Sequence, residues 1–407
     1  MTALPLSRVA PAPLAAPPAA EPVALLQLSG DTADAASAVY REVRRGRRVV
    51  AVVAGGDGAV RRLAEALDAI GVPAVTPAAG EALLHDGVTL APGPDVAPSR
   101  PVEGGVAPLR VALAGCGVVG GGLLPRLLAD RRFEVVGVLV RDPGKARDTA
   151  LPPLLPLTDP AALLAREPDV LVEVLSDAST GLALTRAALS RGIHVVSANK
   201  QAIGGDLAAL TALAAAGEAR LFYSASVGGG APLIETVRRA RAHGEIVRIE
   251  AVLNGTCNFI LNRLADGMAF ATAVAAAQAA GFAEADPTAD LSGLDAAAKL
   301  AILAHEATGW RLPVEAVARE ALSRERDGPA GRVRQVARLD LQNRLAQVTF
   351  ERVDADPLFT HLADEANALR VTTADGRLFT AGGRGAGRTP TAESVWADLE
   401  DVLVQSR

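Results

Sequence analysis

The sequence contains few cysteines and few aromatic residues, and both shortages exclude classes of protein. Cys116 and Cys257 are its two cysteines, too few and too far apart for a disulfide framework or a cysteine-rich metal site. Aromatic residues make up only 3% of the chain, which leaves little to stack on nucleic-acid bases. We therefore expect a protein of a reducing, cytoplasmic compartment that does not bind nucleic acid.

Long apolar runs and a strong net charge are also missing. No uninterrupted apolar run reaches the roughly 20 residues that a membrane-spanning helix needs. The formal net charge of -5 gives no electrostatic reason to expect binding to nucleic acid or to an anionic membrane. With 407 residues, half of them hydrophobic, the chain is long enough for two or three domains with their own cores.

The first quarter of the chain divides by composition into three parts. Residues 1–22 are rich in alanine and proline, which predicts a disordered tail and not a signal peptide, because prolines interrupt every apolar run. Residues 23–98 alternate short apolar strands with helical patterns and predict a small α/β segment. A Pro- and Gly-rich stretch at 99–108 predicts a linker.

A strand, a tight glycine turn and a helix follow from residue 109. The glycines have the G-x-G-x-x-G spacing of a dinucleotide-binding turn, and a second strand begins about twenty residues later, as that fold requires. The predicted cofactor-binding residues of this turn are Gly115, Gly117, Val118, Val119 and Gly120. The pattern predicts a Rossmann-type domain.

The residues after the second strand bear on the choice between NAD and NADP. Arg141 and Lys145 suit the extra phosphate of NADP, whereas an acidic side chain such as Asp142 suits the free ribose hydroxyls of NAD. A solvated turn would also explain the two cations, since charged loop residues are mostly exposed. The pattern favours NADP and leaves NAD open.

The charged stretch at 281–300 carries the candidate chemistry. It turns from a Pro-containing loop into a helix, in which Asp295 and Lys299 are four residues apart and share one face. A capping box with an ordinary ion pair would give the same spacing. The acidic loop before the helix, with Glu284 and Asp290, favours a functional site.

Three further polar breaks follow predicted strands. Lys200 stands at the end of one strand, Gly228–Gly230 follow the next, and Asn254, Gly255 and Thr256 open a helix whose first N–H groups suit a carboxylate. A solvated lysine, and an Asn-Gly turn with a helix cap, would explain the first and last of these equally well.

Taken in order, these motifs resemble those of the homoserine dehydrogenase family. The longest match is 281–300, an alanine- and glycine-containing loop, an Asp-Pro, and then Gly-x-Asp-x-x-x-Lys. The Ala-Asn-Lys at 198–200 and the closing glycine turn and helix are similar to further motifs of the family. The resemblance covers roughly residues 108–407.

The resemblance implies an α/β fold in which the small front segment precedes two larger domains. A Rossmann-type dinucleotide-binding domain is expected at 109–230 and an α+β catalytic and dimerisation domain at 231–375. Residues 376–407 are expected to return to the nucleotide domain. The family also implies a homodimer.

The activity implied is the NAD(P)-dependent interconversion of L-homoserine and L-aspartate 4-semialdehyde in threonine and methionine biosynthesis. The implied catalytic residues are Lys299, Lys200 and Asp295; the implied substrate-binding residues are Glu284, Asp290, Thr256 and Gly255; Lys200 and Gly387 join the cofactor site. Two lysines in one cleft would lower each other's pKa, while Asp295 acts in the opposite direction.

Two features depart from the family pattern. Ser224 stands where homoserine dehydrogenases commonly carry a glutamate that binds a monovalent cation, which leaves the backbone oxygens of Val227 and Gly229 as the remaining expected ligands. Residues 23–98 resemble the opening of aspartokinase, but Gln27 to Asp31 lack its lysine before paired glycines. We expect a reduced remnant used for packing or interaction.

Two alternative functions remain open on the sequence. The chain would fit another NAD(P)-dependent oxidoreductase acting on a small substrate, although the pattern from Glu284 to Lys299 argues against it. A non-catalytic NAD(P)-binding regulatory or partner subunit is the other, for which Ser224 and the degenerate front segment are the reasons.

Overall fold

The chain forms two compact units in a computed structural model. The front unit comprises residues 1–68 and 72–98, and the main unit comprises 69–71 and 99–407. The structure describes residues 23–28, 32–53, 57–75, 90–92, 107–323, 332–362 and 365–405. The predicted tail, most of the predicted linker and Ser29 to Asp31 lie outside these ranges.

The front unit is built on a parallel sheet with the strand order β3-β2-β1-β4. Its strands are β1 (Val23–Leu28), β2 (Arg48–Val53), β3 (Ala74–Val75) and β4 (Leu90–Pro92), and its helices are α1 (Thr32–Arg44) and α2 (Asp57–Ala69). The alternation of strands and helices agrees with the predicted α/β segment. The kinase resemblance of this unit stays a prediction.

The first sheet of the main unit is parallel and has the order β10-β9-β8-β5-β6-β7. Its strands are β5 (Leu109–Ala114), β6 (Phe133–Leu139), β7 (Pro156–Leu157), β8 (Val170–Glu173), β9 (His194–Ser197) and β10 (Leu221–Phe222). Its helices are α3 (Val118–Ala129), α4 (Pro160–Leu164), α5 (Ala178–Leu189), α6 (Lys200–Gly204) and α7 (Leu207–Ala216). The order reverses between β5 and β8, and ligands of such sheets bind beyond the carboxyl ends of the strands at that point.

Burial on both faces explains why the strands of this sheet are apolar throughout. Every residue of β8 is buried, and β5 is buried at five of its six positions. Helices cover both sides of a parallel sheet, so no face is left for alternating polar side chains. The predicted Rossmann-type fold is confirmed.

The second sheet is mixed and has the order β12-β14-β13-β11-β15-β16. Its strands are β11 (Ile246–Val252), β12 (Ala318–Arg319), β13 (Val333–Asp340), β14 (Leu345–Arg352), β15 (Ala366–Thr373) and β16 (Leu378–Arg384). The helices of this part are α8 (Leu233–His243), α9 (Gly255–Ala265), α10 (Phe270–Ala279), α11 (Thr288–Leu291), α12 (Leu294–Thr308) and α13 (Pro357–Thr360). This sheet confirms the predicted second α+β domain.

The strand β11 shows how the two faces of the second sheet differ. Ile249 and Ala251 are fully buried in the main core, which also contains the apolar side of α12. Glu250 lies between them on the opposite face, where it forms ion pairs with Arg338 and Arg370 on the neighbouring strands. The period of two therefore separates an apolar face from a charged one.

The last helix, α14 (Arg388–Gln405), joins the second sheet to the first domain. It follows β16 and packs against α3, where the buried Trp396 contacts the ring of Phe133 edge-on at 5.2 Å between centroids. The guanidinium of Arg126 lies 3.7 Å from the Trp396 ring centroid and 2.9 Å from a carboxylate oxygen of Glu393. The C-terminal segment thus contributes to both parts of the main unit.

Removal of the buried Trp396 ring should destabilise the main unit. Trp396→Ala should cost about 3–5 kcal/mol, as large-to-small changes of buried aromatic residues do. Val404→Ala is the matched control, because that side chain lies on the same helix and is 74% exposed. Urea unfolding followed by circular dichroism measures the two costs, and equal midpoints for the two variants would contradict the assigned packing role.

Candidate active site

The carboxylate of Asp295 lies between two lysines from different parts of the main unit. Its Oδ2 is 2.8 Å from the Nζ of Lys299, one turn later in α12, and its Oδ1 is 3.0 Å from the Nζ of Lys200, the first residue of α6. The structure therefore brings together the three residues that the sequence predicts as catalytic.

The two lysines differ in how firmly they are held. The Nζ of Lys299 also donates to the backbone oxygen of Leu253 at 2.6 Å, and its side chain is 11% exposed. The side chain of Lys200 is 31% exposed. Lys299 is thus anchored inside the protein, while Lys200 has a side open to the cleft.

Electrostatics in this cluster favour the charged forms. Burial alone would raise the pKa of Asp295, but the attraction of Lys299 and Lys200 outweighs it and lowers that pKa below its ordinary value. The attraction of Asp295 raises the pKa of Lys200, against the opposing effect of burial, with further contributions from Asp290 and Glu284. The net pKa shift of Lys200 therefore follows the opposite pull that was expected of Asp295, because the carboxylate lies in contact with the ammonium.

A scarcity of lysine marks this pair in the sequence. Of the 41 lysines and arginines only three are lysine, namely Lys145, Lys200 and Lys299. Two of the three meet at one carboxylate. Arginine stays protonated at all accessible pH values, so it cannot exchange a proton as lysine can. The rarity of lysine in the sequence thus distinguishes Lys200 and Lys299 from ordinary surface cations, and it is a signal that the motifs alone do not contain.

Asn254 connects the two acidic residues of the cluster. Its Nδ2 donates to Asp290 Oδ1 at 2.6 Å and to Asp295 Oδ2 at 2.8 Å, while its Oδ1 accepts from the backbone N–H of Cys257 and caps α9. Burial raises the pKa of Asp290, and the bond from Asn254 opposes that rise. The sequence predicted either a carboxylate-binding helix start or a turn with a cap here; the cap is present, and the bridge between the two acidic residues was not predicted.

The glycine turn after β5 has the backbone that its spacing predicts. Gly115 has φ +105°, and a Cβ there would lie 2.8 Å from the carbonyl oxygen of Val174. A Cβ at Gly120 would lie 2.0 Å from the carbonyl oxygen of Gly115, whereas one at Gly117 would meet no atom within 4 Å. The open side at Gly117, where α3 begins, suits close approach of a pyrophosphate.

Two family models match the main unit: the homoserine dehydrogenase model over residues 232–399 and the NAD-binding domain of homoserine dehydrogenase over 115–224. A homoserine dehydrogenase of Pseudomonas aeruginosa is 33% identical over 319 residues, which are 73% of this chain and 72% of the relative. One of Corynebacterium glutamicum is 37% identical over 239 residues, 56% of this chain and 54% of the relative. The chain belongs to the homoserine dehydrogenase family.

Solved homoserine dehydrogenases have the same fold. The enzyme of Thiobacillus denitrificans has a TM-score of 0.65 at 30% identity and covers 73% of each chain. A hyperthermophilic archaeal homoserine dehydrogenase in complex with NADPH has a TM-score of 0.65 at 26% identity, over 73% of this chain and 98% of that one. A relative from Pseudomonas canavaninivorans, 35% identical over 55% of this chain and 66% of its own length, is named as an NAD(+)-dependent homoserine dehydrogenase.

Membership of the family settles the class of reaction. The chain is an NAD(P)-dependent oxidoreductase that interconverts L-homoserine and L-aspartate 4-semialdehyde. The predicted family, activity and place in amino-acid biosynthesis are confirmed. The comparisons favour neither of the two alternative functions.

The cation pair predicted for cofactor choice lies on an exposed turn after β6. Arg141 and Lys145 are both exposed, and Arg147, which sequence reasoning missed, donates to the backbone oxygens of Lys145 and Asp142. The Asp142 carboxylate accepts from the N–H of Gly144 at 2.8 Å, so one of its oxygens closes its own turn. The turn therefore presents mainly positive side chains.

The predicted substrate residues lie on the loop and helix that surround the lysines. Gly255 is the first residue of α9, and the hydroxyl of Thr256 donates to the backbone oxygen of Phe282 at 2.6 Å. Glu284 is exposed, and its charge helps to raise the pKa of Lys200. The structure brings these residues to the same side of the main unit as Lys200, Asp295 and Lys299.

Ser224 contacts a carboxylate of the last helix. Its hydroxyl donates to Asp398 Oδ1 at 2.8 Å and its backbone N–H donates to Asp398 Oδ2 at 3.1 Å, with both side chains buried. The glycine turn that follows meets the C-terminal turn: a Cβ at Gly229 would lie 2.6 Å from the carbonyl oxygen of Gly385, and Gly387 has φ +117°. Within the described ranges no three His, Cys, Asp or Glu side chains are grouped as a metal site.

Loss of the Asp295 charge should lower the pKa of Lys200. In Asp295→Asn the largest influence that raises this pKa is gone, so we expect the pKa of Lys200 to fall. The three lysines make the measurement direct, because NMR of the ¹³Cε-lysine-labelled enzyme should give three resolvable sets of signals at these positions.

The exposed Asp286, in the same loop region, provides the control. Asp286→Asn should leave the titration of Lys200 as it is in the parent. Lys145→Arg identifies the signal of the exposed lysine. An unchanged Lys200 titration in Asp295→Asn would contradict the electrostatic role given to that carboxylate.

Proposed function

We propose that the homoserine dehydrogenase reaction takes place beside the cluster of Lys200, Asp295 and Lys299. The observation that carries this proposal is the placement of two lysines, one from each domain of the main unit, on the two oxygens of a single buried carboxylate. The nicotinamide cofactor, when bound, supplies the hydride chemistry. The protein must then bind and orient the substrate and handle one proton.

Lys200 is proposed as the proton donor in the direction of aldehyde reduction. Its ammonium is stabilised by Asp295, and it has an exposed side, so it can approach a carbonyl oxygen that gains negative charge. In the oxidation direction the same group in its neutral form would take the proton of the alcohol. Lys299, held by Leu253 and Asp295, supplies a second positive charge behind it.

The amino-acid part of the substrate needs partners for an ammonium and a carboxylate. We assign the ammonium to the acidic side chains of Glu284 and Asp290. The first N–H groups of α9, at Gly255 and Thr256, suit the carboxylate, because the amino-terminal end of a helix favours an anion. This assignment places the reacting carbon toward the lysines.

NADP is proposed as the preferred cofactor, with NAD also possible. Arg141 and Lys145 are exposed at the turn where the ribose of a bound dinucleotide lies in this fold, and they suit a 2′-phosphate. Asp142, the acidic residue that would favour NAD, uses one oxygen within its own turn. Similar enzymes are known with either cofactor, so the relatives alone do not decide the preference.

A monovalent cation has less support. The position of the family glutamate carries Ser224, whose uncharged hydroxyl is bound to Asp398. The carbonyl groups of Val227 and Gly229 remain as expected ligands, but the residues present do not match the family's site. No step of the reaction is assigned to a cation.

The proposed setting is a homodimer in the cytoplasm. The second domain contains a broad six-stranded sheet of the kind that can pair with another copy, and both buried cysteines are free thiols. No helix in the described part of the chain is long and apolar enough to cross a membrane. Sedimentation velocity of the purified protein separates a dimer from a monomer and so tests the assembly.

Replacement of either lysine should abolish most of the activity. Lys200→Ala and Lys299→Ala should each lower kcat for homoserine-dependent NADP reduction by about 10²–10⁴-fold, the usual contribution of a positioned acid or base. Circular dichroism should show folding intact in both variants, and NADPH fluorescence should show cofactor binding intact in Lys299→Ala. Arg131→Ala, which removes an exposed cation outside the proposed site, is the control, and its kcat should stay near the parental value. Parental kcat in both cluster variants would exclude the proposed site.

Cofactor preference should depend on Arg141. Arg141→Ala should raise the KM for NADP by about 10–100-fold, which corresponds to one hydrogen bond to a charged group, and should leave the KM for NAD unchanged. Arg131→Ala is the matched control, since Arg131 is exposed at the opposite end of β6. Equal changes for the two cofactors would show that Arg141 does not recognise the additional phosphate.

A further inference from the structure

Glu173 is a fully buried carboxylate at the end of a strand in the first domain's sheet. It has no role in the substrate binding or proton transfer proposed for the site. It is the last residue of β8, paired in register with Ala114 on β5 and with Ser197 on β9. The strand order reverses between β5 and β8, so Glu173 lies at the edge of the cofactor crevice.

Three hydrogen bonds hold this carboxylate. Its Oε2 accepts from the hydroxyl of Ser197 at 2.7 Å, and its Oε1 accepts from the Asn199 side-chain amide at 3.2 Å and from the backbone N–H of Leu175 at 3.0 Å. Burial raises the pKa of Glu173, and these donors oppose the rise. An apolar side chain at this position would avoid the cost of burying a charge.

Asn199 connects the carboxylate to the start of α6. Its side-chain oxygen accepts from the N–H of Ala202 at 3.1 Å and so caps the helix, while its own N–H donates to the hydroxyl of Ser197 at 3.1 Å. The next residue is Lys200, whose Nζ is 3.0 Å from Asp295. The first turn of α6, which carries Lys200, is thus tied to Glu173 through two side chains.

The helix α5 leaves no free space around these two groups. A Cβ at Gly181 would lie 2.8 Å from Glu173 Oε1 and 2.8 Å from Asn199 Nδ2. Both polar groups are therefore held against the backbone of α5, and neither can move toward it.

We propose that Glu173 is a positioning residue that sets the location of Lys200 through Ser197 and Asn199. The inference rests on the proposed role of Lys200 in the homoserine dehydrogenase reaction. Glu173 does not itself exchange the proton. A displacement of about 1 Å in a group that must meet a reacting atom can cost about a hundredfold in rate. Accurate placement of Lys200 can therefore outweigh the cost of burying the Glu173 carboxylate.

Glu173→Gln tests the proposal with little change of volume. Glutamine has one acceptor oxygen and adds an amide that faces the donors of Ser197 and Asn199. We expect kcat for homoserine oxidation to fall by about 10–100-fold, while the Kd for NADPH and the thermal midpoint stay close to those of the parent. A role only in building the cofactor crevice would raise the Kd for NADPH instead.

A double-mutant cycle with Lys200→Ala shows whether Glu173 acts through that lysine. If it does, Glu173→Gln in the Lys200→Ala background should cause no additional loss of kcat. Glu306→Gln is the matched control, because Glu306 is also a buried, hydrogen-bonded carboxylate but contacts Tyr223, Arg238 and Arg241. It should keep the parental kcat.

Parental kcat in Glu173→Gln, a loss that multiplies with that of Lys200→Ala, or a raised Kd for NADPH would overturn the proposal. Should Glu173→Gln not fold, Ser197→Ala takes its place in the same cycle, since it removes one of the two connecting side chains. If Lys200→Ala itself is active, the proposed function of Lys200 fails together with the inference. If Lys200→Ala is inactive and Glu173→Gln is normal, only the positioning role fails.

Discussion

The contact of Asp295 with two lysines is the interaction on which the site depends. Two ammonium groups in a partly buried cleft would repel each other, and each would favour the neutral form. One carboxylate between them reverses that preference, and the pKa of Lys200 rises while that of Asp295 falls. Since the lysines come from α6 and α12, the contact also holds the nucleotide domain and the second domain in one relative position at the site.

Other contacts in the main unit also hold the two domains and the residues of the cluster in place. Asn254 fixes Asp295 and Asp290 to the start of α9, and the hydrogen bond to Leu253 fixes Lys299 to the end of β11. On the far side, α14 crosses from the second sheet to α3, where Trp396 is buried. A chain that returns to its first domain in this way resists separation of the two parts, as the proposed reaction between them requires.

Local pattern predicted the fold, and the resemblance of short motifs to the homoserine dehydrogenase family indicated the cluster of Lys200, Asp295 and Lys299, which the structure brings together. The G-x-G-x-x-G turn and the Asp295 to Lys299 spacing each lie within one turn or helix. Asn254 and Glu173 were not predicted in their present roles, since the side chains that they contact lie 24 or more residues away and meet them only through the sheet topology. The direction of the Lys200 pKa shift likewise depended on one distance, which no spacing in the sequence contains.

Residue 200 is a lysine and not an arginine for a chemical reason. The chain uses arginine at almost every other basic position, and an arginine in place of Lys200 would keep the positive charge and the contact with Asp295. It could not release a proton, however. Electrostatic attraction alone therefore does not explain lysine at this position. The proposed role of Lys200 does explain it: the ammonium, stabilised by Asp295, would protonate the reduced aldehyde, and the neutral amine would take the proton when the alcohol is oxidised.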